Sequence, residues 1–142
     1  MKEQNLANHA RFDPWFHFVV LGILFLNVIV CAIHLYRQPF HFNEWLVILS
    51  VGLLILAFKV RMYSLKVQDR VIALEERIRC ATLLPDALKP RALALSVDQL
   101  IGLRFASDAE FPALVEKTLN ENLNRKQIKQ AVQNWRPDNW RV

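Results

Sequence analysis

The sequence predicts an all-α fold, namely a transmembrane helical hairpin followed by a cytoplasmic helical rod and a small helical bundle. Three observations predict it: an uncharged apolar run over residues 15–36, a second apolar run from residue 42, and repeated helix-start motifs after residue 95. The composition agrees, because 54% of the 142 residues are hydrophobic and only 3 are glycine. Such a chain belongs neither to the disordered nor to the glycine-rich classes.

The apolar runs and breakers divide the chain into four segments. These are an N-terminal cytoplasmic segment (1–14), the hairpin (15–63, with spans at about 15–36 and 42–63), an amphipathic helix that continues the second span (64–84), and the C-terminal bundle (85–142).

The first span is the strongest signal. Residues 15–36 are 22 in number and carry no formal charge, and a helix of that length measures about 33 Å, close to the hydrocarbon thickness of a bilayer. Trp15 and Tyr36 lie at its two ends, where aromatic rings favour the membrane interface. We therefore predict a transmembrane helix here.

The second span is less regular, since the uncharged stretch from Trp45 to Phe58 is too short to cross a bilayer alone. Lys59 and Arg61 can extend their charged ends toward the headgroups, so the span reaches Tyr63. The alternative is a re-entrant or interfacial segment.

The connection between the spans is short and contains Pro39, so the hairpin is antiparallel and both termini share one side. This connection carries only Arg37. The flank after the second span carries six basic residues: Lys59, Arg61, Lys66, Arg70, Arg77 and Arg79. The positive-inside rule therefore places both termini in the cytoplasm.

Asn27 is the strongly polar residue of the first span. Folding the chain back about Pro39 brings it level with Ser50 and Gly52. A hydrogen bond between the helices at small residues contributes about 1 kcal/mol. We prefer this structural role to the alternative, a polar step in a transport path.

A heptad seam follows the second span. We give this name to Val60, Val67, Val71, Leu74 and Ile78, which recur with Ser64 and Ala81 at alternating steps of four and three residues. The seam can pair with a second copy of the chain, or it can hold the C-terminal helices of the same chain.

Helix-start motifs define the bundle. Pro85 ends the rod, and Ser96 with Gln99 forms a capping box for a helix through Phe105. A second box, Ser107 to Glu110, is predicted to open a helix that ends near residue 122, with Pro112 in its first turn. Asn124 caps a third helix, predicted to run through residue 135 and to end before Pro137.

The C-terminal region supplies the candidate contact residues. They are Arg104, Asp108, Glu110, Trp135, Arg136, Asp138, Trp140 and Arg141. The two Trp–Arg pairs fit a structural lock, contact with anionic lipid, or, least well, nucleic-acid binding. We expect Arg104 and Arg136 to pair with Asp108, Glu110 or Asp138.

The cytoplasmic part contains no histidine, because all four histidines lie within the first 41 residues, and a hydrolase or transferase would usually need a histidine or paired acids in a cleft. The sequence therefore predicts a non-enzymatic protein without a cofactor. His34 and His41 lie near one membrane face and could bracket a haem or a metal ion, but two ligands without a third are a weak signal.

Four segments are distinctive: the opening MKEQNLANHARFDP, the RVIALEERIR stretch, and above all RFASDAE and NWRPD. They resemble segments of a family of bacterial two-span membrane proteins of unknown function. The resemblance implies the hairpin topology and a bacterial inner-membrane location, and it implies no activity. It directs testing first to Arg104, Asp108, Glu110, Trp135, Arg136 and Asp138.

The leading functional hypothesis is an accessory or scaffold protein that docks a cytoplasmic or membrane partner to the bilayer. The alternatives are a protein that self-associates through the heptad seam, and a haem- or metal-binding membrane subunit. The expected partners are the lipid bilayer and either another protein or a second copy of the chain.

Overall fold

A computed structural model describes residues 5–6 and 13–137 of the chain. A π-helical stretch, Trp15–Val20, leads into α1, and the helices are α1 (Leu21–Arg37), α2 (His41–Leu83), α3 (Lys89–Ala92), α4 (Val97–Leu103), α5 (Phe111–Glu121) and α6 (Arg125–Ala131). The described residues contain no strand beyond an isolated bridge between Ala106 and Trp135. The all-α prediction is confirmed.

Two compact units divide the described chain. One consists of residues 13–65, and the other of residues 66–137 together with residues 5–6. We call them the hairpin unit and the bundle unit. The division falls within α2, two residues after the predicted boundary at residue 63.

Local signals set the ends of the helices in the hairpin unit. The Asp13 carboxylate accepts a hydrogen bond from the Phe16 amide at 3.2 Å, which satisfies a free donor at the helix start. At the other end Gln38 leaves the helical conformation. Its carbonyl accepts a hydrogen bond of 2.7 Å from the Asn43 side chain, so the first turn of α2 fastens the connection.

Two helices in the described part of the chain are long and apolar enough to cross a membrane, Trp15–Arg37 and His41–Leu83. In the most apolar 18-residue stretch of the first helix, no residue is buried. In the corresponding stretch of the second helix, 6% of the residues are buried. The core helix of a water-soluble domain would be covered along its apolar stripe.

One of the two predicted capping boxes forms in the bundle unit, and the predicted N-cap at Asn124 also forms, as a full capping box. Ser96 and Gln99 cap α4, and Asn124 and Gln127 cap α6, each pair with both reciprocal hydrogen bonds. Each box satisfies two backbone donors that the first turn leaves free. These predictions are confirmed, as is the position of Pro112 in the first turn of α5.

Two predicted helix bounds are wrong. The box at Ser107 does not form: α5 begins at Phe111, and the buried Ser107 hydroxyl has no hydrogen-bond partner among the described residues. The Glu110 side chain instead binds backbone amides farther along the chain. The last helix ends at Ala131, because Val132 is extended and the chain turns toward residues 105–107.

The bundle core joins all of its helices. Its fully buried members include Leu100, Leu103, Phe105, Phe111, Val115 and Ile128, and the α2 residues Ala73 and Cys80 pack with them. Gly102 lets α4 approach α6 closely, because a Cβ atom at residue 102 would lie 3.1 Å from the Cβ of Ile128. The bundle unit thus closes around α2 on one side.

Candidate interaction surface

Residues 66–83 of α2 have two different faces. The side chains of Ile72, Ala73, Glu76, Arg79 and Cys80 are buried. These positions recur at helical spacing, so they define one side of the helix, which we call the covered face. Arg79 and Cys80 pack with residues of the C-terminal helices.

The heptad seam lies on the opposite face and is open. Val67 is 61% exposed, Leu74 61% and Ile78 57%; Val71 and, in the hairpin unit, Val60 are also exposed. The interpretation that the seam holds the C-terminal helices of the same chain is therefore wrong. The bundle packs on the covered face, where small and apolar side chains such as Ala73 let helices approach.

The surroundings of the seam are apolar and basic. A groove along α2 is lined by Val67, Val71 and Leu74 together with Arg70, Ala73, Arg77 and Val97. Val97 and Leu93, at the start of α4 and just after α3, are themselves exposed. The open apolar surface of the bundle unit therefore extends beyond α2.

On the covered face, Arg79 makes three polar contacts. It donates to Asp108 Oδ1 at 2.8 Å, to Glu76 Oε2 at 3.0 Å and to the Ala106 carbonyl at 2.6 Å. Its guanidinium also lies 4.3 Å from the centre of the Phe111 ring, a cation–π distance. One side chain of α2 thus binds the segment that precedes α5.

Burial raises the pKa of two titratable groups on the covered face, Glu76 and Cys80. Loss of solvent raises the pKa of Glu76 above its ordinary value, although the nearby charges of Arg79 and Arg136 oppose the shift. Burial also raises the pKa of the Cys80 thiol to about 11, with the Glu76 charge adding to it. Cys80 is therefore an uncharged core residue and a poor nucleophile at neutral pH.

The C-terminal segment is fastened to the start of α5. The Glu110 carboxylate accepts hydrogen bonds from the amides of Gln133 and Asn134, both at 2.9 Å. The Asn134 carbonyl accepts from the Ser107 amide at 3.0 Å, and the Phe105 carbonyl accepts from the Arg136 amide at 2.7 Å. These bonds satisfy backbone groups that have no helical partners.

Trp135 packs against this same segment. Its ring centre lies 4.9 Å from that of Phe105, and the Phe105 ring also lies 4.4 Å from the Arg104 guanidinium and 5.3 Å from the Lys129 ammonium. Arg104 is buried and Trp135 is half-buried. For Trp135 this packing agrees with the structural lock.

The ion pairs expected of Asp108 and Glu110 need correction. Asp108 pairs with Arg79, and Glu110 binds backbone amides, so neither acid serves Arg104 or Arg136 as expected. Arg136 lies in the same cleft as Glu76 and Arg79. Asp138, Trp140 and Arg141 lie outside the described residues.

In the hairpin unit, Asn27 donates a hydrogen bond of 2.9 Å to the Ser50 hydroxyl. Ser50 is buried and donates its hydroxyl hydrogen to the Leu46 carbonyl at 2.6 Å, and the Cys31 sulfur lies 3.3 Å from the same hydroxyl oxygen. Gly52 does not share this contact: it is exposed, and a Cβ there would meet nothing within 4 Å. The two helices therefore meet at Ser50 and not at the glycine.

The histidine candidates show no converging ligand set. His41 is paired with Glu44 through a contact of 3.1 Å, and both side chains are exposed. Within residues 5–6 and 13–137, no group of three or more His, Cys, Asp or Glu residues is arranged to hold a metal ion.

The sequence reasoning missed Glu76, Arg79 and Cys31. Glu76 and Arg79 carried a usable signal, because they stand three residues apart on the side of the helix away from the seam. Charged residues at that position must find partners when a bundle covers them. Cys31 follows Asn27 by one helical turn, which places it on the same face.

Comparisons with curated proteins and with solved structures gave no match. The model of a family of unknown function, DUF6526, matches residues 1–142, which is the whole of the given sequence. The chain therefore belongs to the family of unknown function DUF6526.

Proposed function

We propose that the chain is a non-enzymatic integral membrane protein that docks a protein partner at the bilayer. In this proposal the hairpin unit is the anchor, and the bundle unit carries the docking surface.

The exposed side chains of the hairpin unit support the anchor. Phe18 is 72% exposed, and Ile23, Phe25 and Leu26 are each at least 60% exposed. Soluble monomers rarely expose apolar patches larger than a few hundred Å². Lipid chains would cover these side chains without any loss of hydrogen bonding, because a helix satisfies its own backbone.

The single observation that carries the docking role is the contrast between the two faces of α2. The covered face is filled by the bundle, whereas Val71, Leu74 and Ile78 on the opposite face are exposed. An apolar face that the chain itself leaves uncovered is typical of an interaction surface.

We also propose a bacterial inner-membrane location with both termini in the cytoplasm. The six basic residues from Lys59 to Arg79, against Arg37 alone in the connection, support this orientation. Reporter fusions at the connection and at each end of the chain test it. The orientation is wrong if a periplasm-dependent reporter is active at the ends and inactive at the connection.

The test of docking is purification of the tagged full chain from its native membranes in a mild detergent, followed by native mass measurement. We expect a stoichiometric complex that is lost in Leu74→Lys and retained in Ala113→Lys, a change at an exposed site of α5. A monomer in all three samples, or a chain that is recovered in the soluble fraction, contradicts the proposal.

A further inference from the structure

Three of the four seam residues in the bundle unit follow the positional preferences of a two-stranded coiled coil. Val67 departs from them, because it is β-branched at a position where leucine is preferred. In heptad notation, Val71 and Ile78 occupy position a, and Val67 and Leu74 occupy position d. β-branched residues at a with leucine at d favour parallel dimers. All four are exposed.

The charged residues beside the seam also favour a parallel two-stranded coiled coil. Arg70 occupies position g and Glu75 the following position e, five residues later. In a parallel pair, each g residue faces the partner's e residue at that spacing. Both side chains are exposed, and within the described residues neither forms an ion pair.

An antiparallel pair would place like charges together, because position g then faces g and position e faces e. Arg70 and Arg77 of one helix would face the same two arginines of the other. Like charges in contact across an interface are repulsive. The charge pattern therefore specifies orientation as well as the kind of partner.

The bundle does not cover the side of α2 that carries the seam. The bundle occupies the covered face, at Ile72, Ala73, Glu76, Arg79 and Cys80, which are heptad positions b, c and f. The bundle therefore leaves the seam itself uncovered and borders it, with Val97 beside Arg70 and with Arg136 beside Glu75. The helix is already formed and held on its far side, so little conformational entropy is lost when it pairs.

We propose that a second copy of this chain covers the seam. The two α2 helices pair in parallel over residues 67–81, and each Arg70 binds the partner's Glu75. This inference rests on the proposed function, because two hairpins inserted in one membrane have the same orientation and so present parallel helices. About two heptads are short for pairing in solution, and confinement to a membrane raises the effective concentration.

Cysteine crosslinking of the full chain in native membranes tests the contact. Val71→Cys and Leu74→Cys place thiols at facing positions, and both sites are exposed, so the fold is retained. The control is Glu116→Cys, an exposed site on α5. We expect an oxidised dimer in the two seam variants and none in the control or in the unmodified chain, whose Cys80 is buried and whose half-buried Cys31 contacts the Ser50 hydroxyl.

Charge exchange tests orientation. Arg70→Glu and Glu75→Arg each place like charges together at two symmetric contacts, and we expect each to lower the dimer fraction about tenfold. The double variant restores the opposite-charge pair and should recover the dimer. Recovery is specific to the parallel register, because an antiparallel pair would not bring these two positions together.

The possible outcomes separate this inference from the proposed function. Crosslinking at residues 71 and 74 with charge rescue supports the homodimer. The homodimer is overturned if the seam variants and the control crosslink equally, or if the double charge variant does not recover the dimer. It is also overturned if the seam variants crosslink only to a different protein or do not crosslink at all. A chain that remains in the membrane fraction and binds another protein through Leu74 would retain the docking proposal, whereas recovery in the soluble fraction contradicts both.

Discussion

Arg79 and Asp108 lie 29 residues apart in the sequence and form an ion pair, with Arg79 Nε 2.8 Å from Asp108 Oδ1. The same guanidinium binds the Ala106 carbonyl and the buried Glu76 carboxylate. This side chain links α2 to the segment before α5, so it specifies which face of α2 the bundle covers.

Arg79→Met should destabilise the bundle unit, because it leaves the Glu76 carboxylate buried without its cationic partner. Removal of one member of a buried ion pair costs about 3 kcal/mol. Thermal unfolding of the full chain in detergent, followed by near-ultraviolet circular dichroism, measures the effect. Arg91→Met is the matched control, since Arg91 makes an exposed hydrogen bond to Asn120; equal effects of the two changes would contradict the assignment.

Glu76→Gln should raise the Tm at pH 7.5. Burial raises the pKa of Glu76, so its favourable contribution to stability is present below the ordinary pKa of 4.5 and is lost as the pH rises through the folded-state value. The amide keeps an acceptor for Arg79 and carries no charge. The gain over the wild type should therefore shrink toward zero at pH 4, and a gain that is as large at pH 4 as at pH 7.5 would refute this.

Asn27→Ala and Ser50→Ala should show coupled effects on the hairpin unit. Their hydrogen bond is 2.9 Å long, and such bonds between membrane helices contribute about 1 kcal/mol. A double-mutant cycle on unfolding in mixed detergents measures the coupling. Ile29→Ala, at an exposed site of α1, replaces Asn27→Ala in the control cycle and should give additive effects with Ser50→Ala.

Gly102→Ala should destabilise the bundle unit by about 2 kcal/mol through overpacking. The new methyl group would lie 3.1 Å from two Ile128 side-chain atoms and 3.3 Å from the Arg125 carbonyl, which cannot move away freely. Gly52→Ala is the control, because its Cβ would meet no atom within 4 Å. Thermal unfolding of both variants tests the contrast, and equal Tm values would show that α6 can shift.

The features that depend on neighbouring residues could be predicted from the sequence. The capping box at Ser96 and the N-cap at Asn124 depend on residues within one turn of the helix, and both form as expected. The box at Ser107 failed because Glu110 binds amides more than twenty residues away, a contact that local spacing does not reveal.

The interaction surface on α2 was predictable only in part, because some of its contacts also join residues that are distant in the sequence. Heptad spacing correctly grouped the seam residues on one face, but spacing alone cannot say whether that face or its opposite receives the bundle. The covered face is seen only in contacts between residues distant in the sequence, such as Arg79 with Asp108.

The pairing of residues 134–136 with residues 105–107 also governs when the bundle unit can fold during synthesis. The amide of Arg136 and the ring of Trp135 complete this unit, so its last contacts form only after residue 136 has left the ribosome. Until then Phe105 lacks the Trp135 ring that packs against it. A chain interrupted before that point would be a substrate for chaperones and proteases, which gives the cell a means of removing incomplete copies.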